Sequence, residues 1–447
     1  MDRRHFLLGT AAGTAGLAVP VQGVQAAPLS HYGLDAAQFG VRPGAQEDQT
    51  GKLQRALDQA ARTRVPLVLA PGVYRAGDLH LQANAQMLGV RGATLLVYTR
   101  GPSLLSAEHA DTVTISGLVL DGGGQRLPEG RALAHFDDIR ALRVTECELR
   151  RAGGNAITLE ACDGAVNGTT IADAADAALY ANNSRGLVVS GNVIRGSGNN
   201  GILIWQSDKR PDGSIVVDNR IEETHARSGG DGQNGNAVNV FRAGNVIVRG
   251  NVIRRATFSA IRGNSASNIQ IIANNCTALD EVAIYSEFGF EGAVIADNVV
   301  DGAETAISVT NFNEGGRLAS VHGNVVRNLA PRRPGTRAEA CTGVGVEADT
   351  AVTGNTVDTA TGAGIRAGYG QYLRNVAITG NVIRNAAAGV EISVASGAGS
   401  ATVTGNVIAG AKRGAIVGME WEKQVTGDLA EDAARYPQLT IANNRRR

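Results

Sequence analysis

Glu287 is the carboxylate of this sequence best placed to do chemistry. It ends the run Ala283-Ile284-Tyr285-Ser286-Glu287, and Arg262 stands in a like run, Ala260-Ile261-Arg262-Gly263-Asn264. Apolar residues alternate with others in both, the period of a strand. Ile261 and Ile284 then face one way, and Arg262, Asn264, Tyr285 and Glu287 the other. The same phase in earlier segments adds Leu203, Trp205, Asn239 and Phe241, and before them Thr158, Glu160, Tyr180 and Asn182. Such a strip suits a sugar polymer. Ring faces lie on Trp205, Phe241 and Tyr285, and hydroxyls bond Asn239 and Asn264. Trp205 and Phe241 can equally pack beneath long turns. Glycoside hydrolysis commonly uses two carboxylates, and Glu287, Glu160 and Asp231 are the candidates. Arg262 either stabilises an oxyanion or binds a uronate carboxylate, or it forms an ion pair with Glu287 across neighbouring coils. His225 and Asp231 belong to a Gly-rich turn beside the strip, which is either an acid–base loop or a solvated turn. His135, Asp137 and Asp138, in what reads as a polar insert over residues 122–139, form a second group.

These segments are positioned by a repeat. Gly-Asn-Val-Ile stands at 191–194, 250–253, 380–383 and 405–408, with degraded copies between. Its asparagines read as Asn192, Asn219, Asn251, Asn275, Asn298, Asn324, Asn355, Asn381 and Asn406, 23 to 32 residues apart. A period of that size marks a repeat architecture. Alternating Val and Ile before and after the phrase read as strands, and the Gly permits a bend. No helix-length segment separates the strands. The expected fold is all-β, a single-stranded right-handed parallel β-helix whose coils stack at about 4.8 Å. Stacking sets the asparagines above one another as a ladder inside the bend, which explains all of them at once.

The remaining sequence frames that solenoid. Residues 1–26 read as a twin-arginine signal peptide. Arg3-Arg4 precedes Phe6-Leu7-Leu8, a weakly apolar stretch follows, and Val24-Gln25-Ala26 offers a cleavage site. The mature chain is expected in the periplasm or outside the cell, with Arg3 and Arg4 engaging the export machinery. No other run is apolar enough to span a bilayer, so no membrane attachment is expected after cleavage. Residues 27–64 form an N-terminal cap in which Asp48 or Thr50 starts a helix to about Arg62, with Leu53, Ala56, Leu57 and Ala60 on one face. Residues 65–447 form the β-helix and a C-terminal cap. Positive and negative residues balance at 42 each, without a basic patch, which argues against nucleic acid. Cys147 and Cys276 sit about five coils, roughly 24 Å, apart, too far for a disulfide. Buried free thiols are expected. No Cys or His spacing points to a metal, and no motif points to a cofactor.

Phe39-Gly40, the helix, Pro71-Gly72-Val73-Tyr74 and Leu88-Gly89-Val90-Arg91-Gly92-Ala93 together resemble the N-terminal part of pectate-lyase-like right-handed β-helix proteins. Residues 235–245, 258–268, 281–293 and 310–318, with the twin-arginine start, resemble a bacterial family of twin-arginine-translocated repetitive proteins. That resemblance implies a β-helix and no particular activity. Arg332-Arg333-Pro334-Gly335-Thr336-Arg337 matches one pectate lyase spacing without its companion motifs. Asp137-Asp138 is similar to a polygalacturonase pair without the Gly-His-Gly. The functional expectation is a polysaccharide lyase, hydrolase or epimerase, or alternatively a carbohydrate-binding or envelope structural protein without catalysis.

Overall fold

The computed structural model describes residues 33–230 and 232–447, so the signal-peptide reading of residues 1–26 and Asp231 lie outside the described residues. Each turn of the chain contributes three short strands. One precedes the Asn bend, one follows it, and one comes after the next turn. In the middle of the chain these are Val188–Ser190, Val193–Arg195 and Asn200–Pro211. Each pairs in parallel with its counterpart one turn later. The result is a parallel β-solenoid with three sheets, called here first, second and third in that order.

Alternation within these strands builds the core. The first sheet points Val189, Val216, Val248, Ile271 and Ile295 inward on successive rungs. The second sheet aligns Ile194, Ile221, Ile253, Cys276 and Val300. The third aligns Leu179, Ile202, Val238, Ile261, Ile284 and Ile307. All are buried, and each such aliphatic stabilises the fold by roughly 1.5–3 kcal/mol. Cys276 takes an aliphatic position in this column, and burial pushes its thiol up to about 12. All four cysteines are free and buried.

The bend between first and second sheets holds the ladder. The Asn192 N–H and its Nδ2 both donate to Asn219 Oδ1, at 3.0 and 2.9 Å, and Nδ2 also donates to Val166 O. The pattern repeats through Asn251, Asn274, Asn298 and onward to Asn406. Asn444 ends it. Thr169 and Cys147 occupy the two preceding rungs. One repeat was out of phase in the sequence reading. Asn274, not Asn275, joins the ladder, because Asn275 pairs with Val252 and projects outward, exposed. Asn-Asn offers two phases, and the inward position of Cys276 decides between them.

Other segment bounds also shift. Residues 132–139 belong to a long strand, Ala132–Thr145, rather than to a polar insert. Ala134 and Phe136 point inward there while His135 and Asp137 point out. The strand Asn200–Pro211 runs on past Trp205, with a register irregularity between Trp205 and Arg210. The helix Thr50–Thr63 lies against the first coils through Leu53, Ala56 and Leu57, and Asp48 Oδ1 accepts the Thr50 N–H. At the other end Lys423–Asp428 pairs antiparallel with Ile416–Glu420, and a short helix, Leu429–Asp432, starts at Asp428.

The ladder separates two adjacent asparagines cleanly. Asn274→Ala removes the acceptor of two buried donors on Asn251 and should cost about 2–5 kcal/mol. Asn275→Ala should change stability by no more than about 0.5 kcal/mol. Urea midpoints of the two variants against wild type check this.

Candidate functional site

The outer face of the third sheet carries two files of side chains, one residue per rung. The first reads His135, Thr158, Tyr180, Leu203, Asn239, Arg262 and Tyr285. The second, two residues further along each strand, reads Glu108, Asp137, Glu160, Asn182, Trp205, Phe241, Asn264 and Glu287. The strand alternation in the sequence aligned the files from Thr158 and Glu160 onward, and the register of the strand Ala132–Thr145 adds His135, Asp137 and Glu108. The alternation did not foresee how deeply some of them lie.

At the Glu287 end the files are covered. Glu287 is 2% exposed and Arg262 8%. Arg262 grips the carboxylate with two bonds, Nε to Oε1 at 2.6 Å and Nη2 to Oε2 at 3.0 Å. Asn264 Nδ2 adds a third at 3.0 Å. Burial pushes the Glu287 carboxyl above its ordinary value, against the pull of Arg262. Arg262 Nη1 donates to Gly232 O, so the Gly-rich turn lies on the guanidinium. A Cβ at Gly232 would stand 2.0 Å from Arg262 Nη1. Tyr285 lies beneath the guanidinium, 5.2 Å from ring centre to Cζ. Asn239 is buried as well. His225 is half-buried at the end of the strand Arg220–Thr224, where its N–H donates to Ser197 O. The expected open strip is therefore closed here by the turn that carries Gly232. The network continues away from Glu287. Arg333 donates to Glu281 Oε1 at 2.6 Å and to Glu304 Oε2 at 2.7 Å.

The middle of the second file is aromatic and half-buried. Tyr180 meets Trp205 edge-on at 5.5 Å, and Trp205 meets Phe241 at 5.3 Å. Beyond it lie the carboxylates Glu160, Asp137 and Glu108 on successive rungs. Asn182 and Asn183 donate to Glu160. His135, beside Asp137, has its pKa lowered by burial. The register thus joins Glu160 to the second sequence group, His135 and Asp137. Asp138 turns away to an exposed pair with His109 at 3.0 Å. Glu160 and Glu287 stand five rungs apart, about 24 Å, so they cannot act on one bond.

The structure also shows a cavity that the sequence reading missed. It lies on the same face near the C-terminus, with a volume of about 160 Å³, between Arg366, Glu391, Arg413 and Trp421. Its residues come from separate turns, so no local motif announces it. Among the described residues no cluster of His, Cys, Asp or Glu is arranged to hold a metal, and no helix is long and apolar enough to cross a membrane.

Residues 155–328 match the family model described as right handed beta helix region. The fold is the right-handed parallel β-helix. No curated protein matches the chain. Among solved structures, it is similar to the N-terminal fragment of bacteriophage phi29 gene product 12. The TM-score is 0.55 at 14% identity, covering 87% of this chain and 69% of that one. The pre-mature form of that gene product gives 0.53 at 14% identity, over 88% of this chain and 56% of that one. The β-helix thus spans little more than half of the pre-mature phage protein. The family 28 exopolygalacturonase of Yersinia enterocolitica gives 0.43 at 13% identity, over 92% and 77%. These are likenesses of fold.

Two predictions concern the charge network. Glu287→Ala leaves Arg262 buried without its carboxylate and should cost about 3–5 kcal/mol, read by urea denaturation. Burial alone would raise the Glu304 carboxyl, but the Arg333 guanidinium and the Arg333 and Arg332 N–H groups hold it below its ordinary value. A depressed pKa contributes stability above the unfolded value and loses it as pH falls through the folded one. The stability gap between wild type and Glu304→Gln should therefore shrink as pH is lowered from neutrality through the carboxylate range.

Proposed function

We propose that this is an exported β-helix protein that cleaves a polysaccharide laid across the outer face of the third sheet. One observation carries the reading. Three carboxylates with no arginine partner among the described residues, Glu108, Asp137 and Glu160, occupy successive rungs beside the Tyr180–Trp205–Phe241 aromatic row. Neighbouring rungs set backbone positions about 4.8 Å apart, and alternate rungs about 9.6 Å. Glycosidases hold their two carboxyl groups about 5–5.5 Å apart for retention and about 6.5–9.5 Å for inversion. Either pairing is available in this file.

The residues take distinct parts. Glu160, fixed by Asn182 and Asn183, is the base or nucleophile. Asp137, next to His135, delivers the proton to the leaving oxygen. Trp205 and Phe241 hold sugar rings on the far side of the scissile bond. Arg262, clamped by Glu287, holds the turn that carries Gly232 against the sheet, which fixes Asn239, Asn264 and Tyr285 beneath it. Export through Arg3 and Arg4, and membership of the twin-arginine-translocated repetitive family, belong to the same reading. They would put the enzyme where such polymers occur.

The test is a screen of residues 27–447 on a panel of polysaccharides, following new reducing ends and unsaturated uronate absorbance. Glu160→Gln and Asp137→Asn should each lower kcat/KM by about 100-fold or more. Loss in Glu287→Gln with Glu160→Gln unaffected would move the chemistry to the other end of the file. Retarded migration in a polysaccharide gel without product would replace catalysis by binding.

A further inference from the structure

The C-terminal cavity lies far from the acidic file. Arg366 and Glu391 are neighbours in the file that begins with His135. They stand nine and ten rungs along it, roughly 43–48 Å away. The polymer-cleaving chemistry proposed above makes no use of them.

Trp421 dominates the mouth of the cavity. It is 50% exposed, yet it is held in place. A Cβ on Gly370 would lie 2.4 Å from the indole ring, so the ring rests on bare backbone. Tyr369, also exposed, meets its edge at 5.1 Å. Two exposed aromatic rings fixed nearly at right angles, 81° between their planes, form an apolar corner for the ring face of a sugar.

The floor is polar and balanced. Glu391 is 1% exposed. Arg366 Nε donates to it at 2.7 Å, and Arg413 bonds its other oxygen. Both arginines remain about a third exposed, with side-chain values of 32% and 31%. A guanidinium has five donors. These two spend theirs partly on Glu391 and, for Arg366, on Glu339 O at 2.8 Å, so N–H groups are left for a ligand. Arg337 and Glu422 pair at 2.7 Å across the rim. The charges of Arg337, Arg366 and Arg413 are matched by Glu339, Glu391 and Glu422.

We infer that this cavity binds one neutral pyranose residue, stacked on Trp421, with its hydroxyls on Arg366, Arg413 and the rim carboxylates. The lining argues against other classes. An anion would meet Glu339 and Glu422, and a cation would meet three guanidinium groups. A neutral polyol uses donors and acceptors together, and the volume admits a single ring. The site would anchor a polymer whose other end reaches the acidic file, and in that respect it rests on the polysaccharide reading.

The chain has two tryptophans, which makes the inference measurable. In full-length Trp205→Phe, Trp421 is the sole indole. Its emission should change saturably on titration with neutral trisaccharides such as cellotriose or mannotriose. Arg413→Gln in that background should weaken binding at least ten-fold. Trp421→Ala, a truncation at a half-exposed position, should abolish the same binding when followed by calorimetry. A silent Trp421 with every neutral trisaccharide would overturn the inference, as would ten-fold tighter binding of trigalacturonate. In Trp421→Phe, Trp205 reports the aromatic row. Response there with silence at Trp421 removes this site and leaves the polysaccharide reading. Silence at both removes both.

Discussion

Everything in this molecule depends on the demand that each backbone N–H and C=O in the stack finds a partner on the next coil. In the strands the parallel ladders meet it. At the bend they cannot, because the chain turns away from the sheet. The buried asparagines supply what is missing. The Oδ1 of Asn219 takes both the backbone N–H and the side-chain amide of Asn192, and the Asn192 amide returns a bond to Val166 O. No other side chain of that size offers two donors beside a carbonyl. This is why, from Asn192 to Asn444, the phrase tolerates changes at its Gly, Val and Ile and holds its Asn.

A fixed coil has a second consequence. Every outward position falls into a file, and distance along the file is set by rung number rather than by sequence separation. Glu160 and Asp137 are 23 residues apart in sequence and neighbours in space. Glu287 belongs to the same file yet is five rungs from Glu160. Chemistry that needs two groups must therefore draw them from adjacent coils. Chemistry that needs an extended partner can use the whole face.

Much of this was legible in the sequence, for a physical reason. Ile202, Val238, Ile261 and Ile284 fix the phase of the third sheet, and phase alone determines which residues share an outward file. The same logic was available at Ala134-His135-Phe136-Asp137, where the alternation is plain, but the surrounding charges read as a loop. Asn274-Asn275 was ambiguous because either residue completes the phrase. Burial was not legible at all. Whether Glu287 faces solvent depends on the turn that carries Gly232, which is held by Arg262 and by bonds with Asn199, Asn200 and Asn236 on other segments. The C-terminal cavity was equally hidden, since Arg366, Glu391, Arg413 and Trp421 converge only when four separate segments are stacked.

The closed end and the open end of the face use one device in two ways. Arg262 grips Glu287 on the next rung and also bonds Gly232 O in a covering turn. Arg366 grips Glu391 on the next rung and also bonds Glu339 O in another turn. A planar guanidinium with five fixed donors suits this bridging, and a lysine could not keep both bonds in one geometry. The difference lies in what the turn brings. At Arg262 it brings glycines, and a backbone with no side chain at Gly232 settles directly onto the guanidinium and excludes solvent. At Arg366 the turn carries the exposed side chains of Glu339 and Arg337, and these line the cavity together with Trp421. The same clamp therefore seals one carboxylate–arginine pair into the fold and leaves the other at the floor of a cavity open to a ligand.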